Sequence, residues 1–190
     1  MEAFEYFVVL SSLILGLGIT QILMGFSDLV AHHKQVKFSL AHIIYAIVVF
    51  IIHLQDWWYS YQYSLLIEEW TFLIALFMLT FHIVLFLQAR ILFPTGSRSK
   101  ETDMVRYFGE NWRLLYFLGL LVVIISILQN VIISGHSWTD ESTLLSIPFA
   151  LSYLAFIIFN IKNYYAHLTF VTILLAIWII VVINDPFTIQ

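Results

Sequence analysis

The chain of 190 residues contains no cysteine, only three prolines and seven glycines, and charged residues make up only 11% of it. The absence of cysteine excludes disulfides, thiolate metal ligands, a cysteine nucleophile, prenylation and palmitoylation. A water-soluble domain carries roughly 25% charged residues, so the scarcity of charge argues against a soluble fold. Hydrophobic residues instead make up 62% of the chain. This composition predicts a protein that is embedded in a lipid bilayer.

Six long apolar runs predict six transmembrane helices, because about 20 helical residues cross the ~30 Å core of a bilayer. The predicted spans cover about 4–29, 38–58, 70–92, 114–134, 144–160 and 165–184. Pro148 is expected in the first turn of the fifth span, where the missing N–H costs nothing. The predicted fold class is therefore an all-α integral membrane protein that forms a single transmembrane domain over residues 1–190.

Lysine and arginine follow only the odd-numbered spans, so all of them fall on one side of this topology. They are Lys34, Lys37, Arg90, Arg98, Lys100, Arg106, Arg113 and Lys162. The positive-inside rule places this side in the cytoplasm and both termini outside. The opposite side is purely acidic. Its carboxylates either concentrate cations at a binding mouth or simply collect where basic residues are excluded.

An acidic and aromatic rim is predicted around the external loop after the second span. It consists of Asp56, Trp57, Trp58, Glu68, Glu69 and Trp70. These residues either cap a ligand-binding site or anchor the helices at the membrane interface, where Trp and Tyr are enriched.

The largest cytoplasmic element is the loop over residues 93–113. Pro94 is expected to end the third helix, and Thr102 or Asp103 to cap a short interfacial helix within 94–113 that precedes the fourth span. The basic residues of this loop either contact lipid head groups or help to dock a cytoplasmic partner.

Few polar groups are predicted inside the spans. The histidines are His42, His53, His82 and His167, and the hydroxyl and amide residues are Thr20, Gln21, Gln129 and Asn130. They either line a polar pathway or form hydrogen bonds between helices. No carboxylate is expected deep in a helix, which argues against a proton-coupled pump.

Two further features of the spans carry hypotheses. His42, His82 and His167 are expected in the cytoplasmic half, where imidazoles could ligate haem b or a metal ion; interhelical hydrogen bonding requires no cofactor. In the first span, Ser12, Gly16, Gly18 and Gly25 predict close packing against another helix.

Motifs of enzymes are absent: there is no His-Glu-x-x-His sequence and no phosphate-binding glycine loop. Nucleic-acid binding is not expected either. The chain is expected to contact the lipid bilayer, and three functional hypotheses remain. The first is a small pore or transport-type protein, which could be a homo-oligomer. The second is a membrane anchor, sensor or assembly subunit that docks a partner through the 93–113 loop, and the third is a histidine-ligated haem or metal protein.

Several short segments also point to a bacterial origin. They are Leu15-Gly16-Leu17-Gly18-Ile19-Thr20, Trp57-Trp58, Glu69-Trp70-Thr71-Phe72, Leu92-Phe93-Pro94 and Asn111-Trp112-Arg113. As a set they resemble a family of small bacterial multi-pass inner-membrane proteins with no assigned activity. The resemblance covers roughly the first 115 residues and implies the bacterial inner membrane.

Overall fold

The computed structural model describes residues 3–94, 102–135 and 137–184. Its helices are α1 (Ala3–Ala31), α2 (Leu40–Tyr59), α3 (Tyr63–Leu66), α4 (Phe72–Ile91), α5 (Met104–Ile132), α6 (Glu141–Ile158) and α7 (Tyr164–Asn184). Short 3-10 turns cover His33–Gln35 and Ser60–Gln62. Strand β1 (Val36–Lys37) pairs in parallel with β2 (Thr102–Asp103). Apart from this pair of two-residue strands, the regular structure of the described ranges is helical, which confirms the predicted all-α class.

In the described part of the chain, five helical segments are long and apolar enough to cross a membrane. They are Ala3–Ala31, Leu40–Leu66, Phe72–Ile91, Met104–Ile132 and Tyr164–Asn184. The fifth predicted span corresponds to α6, in which the apolar part, Thr143–Ile158, is shorter. The helices are therefore compatible with a multi-pass membrane protein.

The interfacial helix predicted before the fourth span is not a separate element. Helix α5 runs without a break from Met104 to Ile132, and Asp103 is its N-cap. Residues 105–113 contain no proline, so nothing ends the backbone ladder between the two predicted pieces. The apolar face of the first turns, Met104, Phe108 and Trp112, is buried within the bundle. The 95–101 segment of this predicted loop lies outside the described residues.

Pro148 lies in the middle of α6 and not in its first turn, because the helix already begins at Glu141. An interior proline removes one backbone hydrogen bond of the helix. The hydroxyl of Ser152 donates to the Pro148 carbonyl oxygen at 2.7 Å, within the same helix.

Helix α2 is central and packs against α1, α4, α5 and α7, while α4 packs on α1 and α5, and α5 on α6. The connections alternate between two ends of the bundle. The end that we call the basic end carries every described lysine and arginine: Lys34, Lys37, Arg90, Arg106, Arg113 and Lys162. Arg98 and Lys100 lie outside the described residues. The opposite end, which carries Glu68, Glu69 and Asp140, is called the acidic end.

Two glycines of α1 allow close approach of other elements. A Cβ atom at Gly18 would lie 2.5 Å from Nε2 of His53, and one at Gly25 would overlap the ring of Phe93. Gly16 is on another face, where a Cβ atom would meet nothing within 4 Å, and Ser12 is half-buried. The inner face of α1 is therefore shaped by Gly18 and Gly25.

Asp103 ties the start of α5 to the segment after α1. Its carboxylate accepts a hydrogen bond from the backbone N–H of Arg106 at 2.9 Å and pairs with Lys37 at 3.0 Å. The Arg106 N–H, and then the Lys37 ammonium, lower the pKa of this carboxyl group. Because the pKa is lower in the folded chain, the stabilisation is present at neutral pH and is lost as the pH falls through the folded value.

We expect Asp103→Ala to lower the thermal midpoint at pH 7, and to lower it less at a pH below the folded pKa of Asp103, where the ion pair with Lys37 is already lost and only a neutral N-cap remains. Asp103→Asn keeps a good N-cap but loses the ion pair, so its midpoint should lie between those of the alanine variant and the parent chain. Circular dichroism of detergent-solubilised protein across this pH range measures both effects. Equal midpoints of all three proteins at pH 7 would refute a stabilising role.

Candidate functional site

A cavity of about 850 Å³ extends into the bundle from the acidic end. Its walls come from α2, α5, α6 and α7, with two residues from α4. Tyr59, Asp140 and Asn184 line its outer part and are partly or fully exposed. Gln88 and Tyr153 line its inner part and are buried. The cavity is thus open at the acidic end and reaches the core.

Helical periodicity explains why these walls face one space. On α5, Gly119, Val122, Ser126 and Gln129 recur at intervals of three or four residues and line the cavity together. Residues at these intervals share one face of an α-helix. Small or short side chains predominate on this face, which leaves room between α5 and the neighbouring helices.

A hydrogen-bonded floor closes the inner end of the cavity. The Gln88 amide donates to the hydroxyl oxygen of Tyr45 at 2.7 Å and to the Leu115 carbonyl oxygen at 3.3 Å. Tyr45 itself donates to the same carbonyl at 2.9 Å. Toward the basic end, the rings of Phe108 and Tyr116 pack beside Tyr45. The described cavity therefore ends at this floor of buried side chains.

A buried carboxylate and imidazole form the most unusual feature of the wall. Oδ2 of Asp56 lies 3.2 Å from Nε2 of His82, and the two side chains are 7% and 1% exposed. Asp56 lines the cavity, whereas His82 lies behind it, at the eleventh of the 20 residues of α4. Asp56, the seventeenth of the 20 residues of α2, is thus near the acidic end of its helix and is buried, not exposed in an outer rim.

The predicted acidic and aromatic rim is divided between two faces. Trp57, Trp58, Glu68 and Glu69 are exposed at the acidic end. Asp56 instead shares the inner face of α2 with His53, three residues earlier, because residues at this interval lie above one another. Trp70 is half-buried, and its ring lies 4.8 Å from that of Phe7.

Of the four predicted hydroxyl and amide residues, two line the cavity. These are Gln129 and Asn130. The Gln129 amide also donates to the Met78 carbonyl oxygen at 3.4 Å. Thr20 donates to the carbonyl of Gly16 in its own helix, and Gln21 accepts a hydrogen bond from Arg90. Thr20 and Gln21 therefore lie outside this site.

Of the three histidines considered as haem or metal ligands, His42 and His167 both pack against the ring of Phe108, whereas His82 lies apart from them. Nε2 of His42 donates to the Leu92 carbonyl oxygen at 2.6 Å, and Nδ1 of His167 lies 3.0 Å from the Tyr116 hydroxyl oxygen. Ten residues of chain separate Leu92 from His82, or about 15 Å along a helix. His82 therefore lies away from the layer of His42. Within the described ranges, no group of three His, Cys, Asp or Glu side chains is placed to hold a metal ion.

The site also contains residues that sequence reasoning did not single out. Gln55, Gln88, Ser126 and Tyr153 all line the cavity. Gln88 carried a usable signal, since it is an amide in an apolar helix, as Gln21 and Gln129 are. Its Oε1 atom is buried and has no hydrogen-bond partner among the described residues.

Comparisons with models of protein families, with curated proteins and with solved structures found no match to this chain. The functional argument therefore depends on the geometry and chemistry of the cavity itself.

Proposed function

We propose that the protein is a transport-type membrane protein that binds a small organic cation in the cavity. The observation that carries this proposal is a carboxylate, Asp56, in the wall of a deep cavity of about 850 Å³. Sites for small molecules typically measure about 300–1,000 Å³ and combine apolar walls with a few polar groups. The cavity matches that description.

Charge favours a cation over an anion or a neutral solute. Asp56 and Asp140 are the carboxylates among the cavity residues, and no lysine or arginine is among them. Aromatic side chains of Tyr59, Tyr153 and Trp178 add surfaces to which an organic cation is attracted. A positively charged solute with apolar substituents would match both kinds of lining.

A transport-type protein fits the cavity better than an open pore does. The cavity reaches the core from one end only and stops at the floor formed by Gln88 and Tyr45. A binding site that is open to one side at a time is what alternating access requires. The predicted oligomeric pore would instead need a continuous path.

The proposal includes a definite placement in the membrane. All six long helices, α6 included, cross a bacterial inner membrane, with the basic end in the cytoplasm and both termini outside. The 18 residues of α6 extend over ~27 Å, close to the thickness of the hydrocarbon core. In this orientation the cavity opens to the exterior.

The other functional hypotheses stay predictions. Docking of a partner through the 93–113 loop has less surface than expected, because Phe108 and Trp112 are covered by the bundle itself. The geometry of the cavity neither supports nor opposes homo-oligomerisation or the binding of haem or a metal ion.

Binding of tetraphenylphosphonium, an apolar cation, tests the proposed site. In equilibrium dialysis of detergent-solubilised protein, we expect saturable binding above that of empty micelles. Ser126→Trp should weaken it at least tenfold, since the indole would fill part of the cavity. Ile124→Trp is the matched control, because Ile124 lies two residues away on α5 and is 40% exposed.

Tetraphenylborate, which has nearly the same shape and the opposite charge, tests the preference for cations. The proposed site would be refuted if the protein failed to bind the phosphonium. It would also be refuted if the Ser126→Trp and Ile124→Trp variants bound the phosphonium with equal affinity. Equal affinity for the two ions would refute selectivity for cations.

A further inference from the structure

We propose that Asp56 and His82 form a proton-exchange pair at which one proton and the bound organic cation compete. Binding of the cation at Asp56 then expels one proton into the cavity. This inference rests on the proposed function, because it assigns a mechanism to the same site.

The hydrogen bonds of His82 determine where its protons lie. Nδ1 is 3.0 Å from the Met78 carbonyl oxygen, which only accepts, so Nδ1 carries a hydrogen. Nε2 then faces the Asp56 carboxylate at 3.2 Å. Both atoms are buried, and no other described group forms a hydrogen bond with either, so one proton on Nε2 or on the carboxyl group would give each of them a partner at this distance. The pair therefore holds one exchangeable proton.

Burial makes that proton, or a substitute for it, necessary. With the exchangeable proton the pair has no net charge, either as carboxylate and imidazolium or as carboxylic acid and imidazole. Without it the pair carries one negative charge, and an uncompensated buried charge costs several kcal/mol. An organic cation beside Asp56 restores neutrality. The site is therefore stable with a proton or with a cation.

The surroundings of the pair give the proton one direction of exit. The ring of His82 is packed edge-on against those of Phe7 and Phe81, at centroid distances of 6.0 and 6.3 Å. Asp56 is the member of the pair that lines the cavity. A proton that leaves through Asp56 enters the cavity and reaches the acidic end.

The other titratable groups near the pair, in the part of the chain that the structure describes, do not supply this charge. His53 on α2 donates from Nδ1 to the Val49 carbonyl oxygen at 2.7 Å, and its Nε2 faces Gly18 of α1. Tyr63 of α3 and Asp140 at the mouth share the cavity with Asp56. From α5, the neutral amide of Gln129 donates to the same Met78 carbonyl.

The exchange balances in atoms and charge. One cation enters the cavity from solution and lies beside the carboxylate. One proton leaves Nε2 or the carboxyl group for water. Neither electrons nor covalent bonds of the cation change, and the net charge of the occupied site stays the same.

Proton release upon binding tests the exchange directly. Tetraphenylphosphonium is titrated into weakly buffered protein at pH 7, and the released protons are counted with an indicator dye. We expect up to one proton per bound cation. Where release is complete, the Kd should fall about tenfold for each unit of rising pH, as linkage requires.

Three variants separate the roles of the groups. Asp56→Asn should abolish both phosphonium binding and proton release, whereas Glu110→Gln, at an exposed carboxylate of the basic end outside the cavity, should keep both. His82→Gln can still donate to Asp56 but cannot take a proton. It should bind the phosphonium and shift the pH dependence of the Kd to lower pH by at least one unit. An unshifted profile would mean that His82 only positions Asp56, which contradicts the proposal.

The outcomes distinguish this inference from the proposed function. Phosphonium binding that Ser126→Trp blocks, without proton release and with a Kd independent of pH, would overturn the exchange and leave the cation site intact. No binding at all would overturn both. If Asp56→Asn fails to fold, as judged by size-exclusion chromatography, the number of protons that the unsubstituted protein releases per bound phosphonium still tests the proposed exchange.

Discussion

His82→Leu is expected to destabilise the folded protein by about 3–5 kcal/mol at pH 7.5, because the buried Asp56 carboxyl group must then either carry an uncompensated charge or take up a proton from solution. The leucine removes the partner of Asp56, whose side chain is only 7% exposed. Since folded proteins are stable by only about 5–15 kcal/mol, the loss is a large part of the total. Unfolding in mixtures of dodecyl maltoside and sodium dodecyl sulfate measures it.

The double variant Asp56→Asn/His82→Leu provides the control for this prediction. It contains no charge in the site, so it should be more stable than His82→Leu alone. Such a rescue measures the coupling between the two side chains. If the two substitutions destabilised the protein additively, the pair would contribute no electrostatic coupling.

Gly25→Ala is expected to cost about 1–3 kcal/mol, the usual range for overpacking in a close-packed interior. The added methyl group would overlap the ring of Phe93, which is 5% exposed and packs edge-on against His42 at a centroid distance of 5.1 Å. The ring also packs edge-on against Phe26 at a centroid distance of 5.4 Å, so displacing it disturbs contacts with two other helices. The same unfolding assay measures the loss.

Gly16→Ala is the matched control on the same helix. Its Cβ atom meets nothing within 4 Å, so the substitution should be neutral or should stabilise α1 by up to about 1 kcal/mol through its lower backbone entropy. Equal effects of the two substitutions would show that helix propensity, and not contact with Phe93, determines the role of Gly25.

Much of the fold could be predicted from the sequence because apolar runs and charge distribution report directly on membrane helices. The helices appear near their predicted bounds, and the basic residues that the structure describes all lie at one end. The predicted start of the fourth span at about 114 missed the first ten residues of α5, because charged residues such as Glu110 and Arg113 were taken as a boundary of the span. An α-helix continues through charged residues unless its backbone hydrogen bonds are interrupted.

The candidate site was harder to predict because it depends on which helices become neighbours. Asp56 stands beside Trp57 and Trp58 in the sequence, which suggested a common rim. Successive residues on a helix point about 100° apart, so the carboxylate faces inward while the indoles face outward. Its partner His82 belongs to another helix. Periodicity gives the face of a helix, and only tertiary packing gives the group that this face meets.

Modification of a single introduced cysteine tests the central claim, that a cavity open at the acidic end binds organic cations. The chain has no cysteine of its own, so Ser126→Cys carries the only thiol. We expect a membrane-impermeant trimethylammonium methanethiosulfonate to react with it when added to the exterior of cells, and tetraphenylphosphonium to slow the reaction. Ile124→Cys should stay unmodified in lipid. Failure of Ser126→Cys to react from the exterior, or reaction that the phosphonium does not slow, would contradict the proposal.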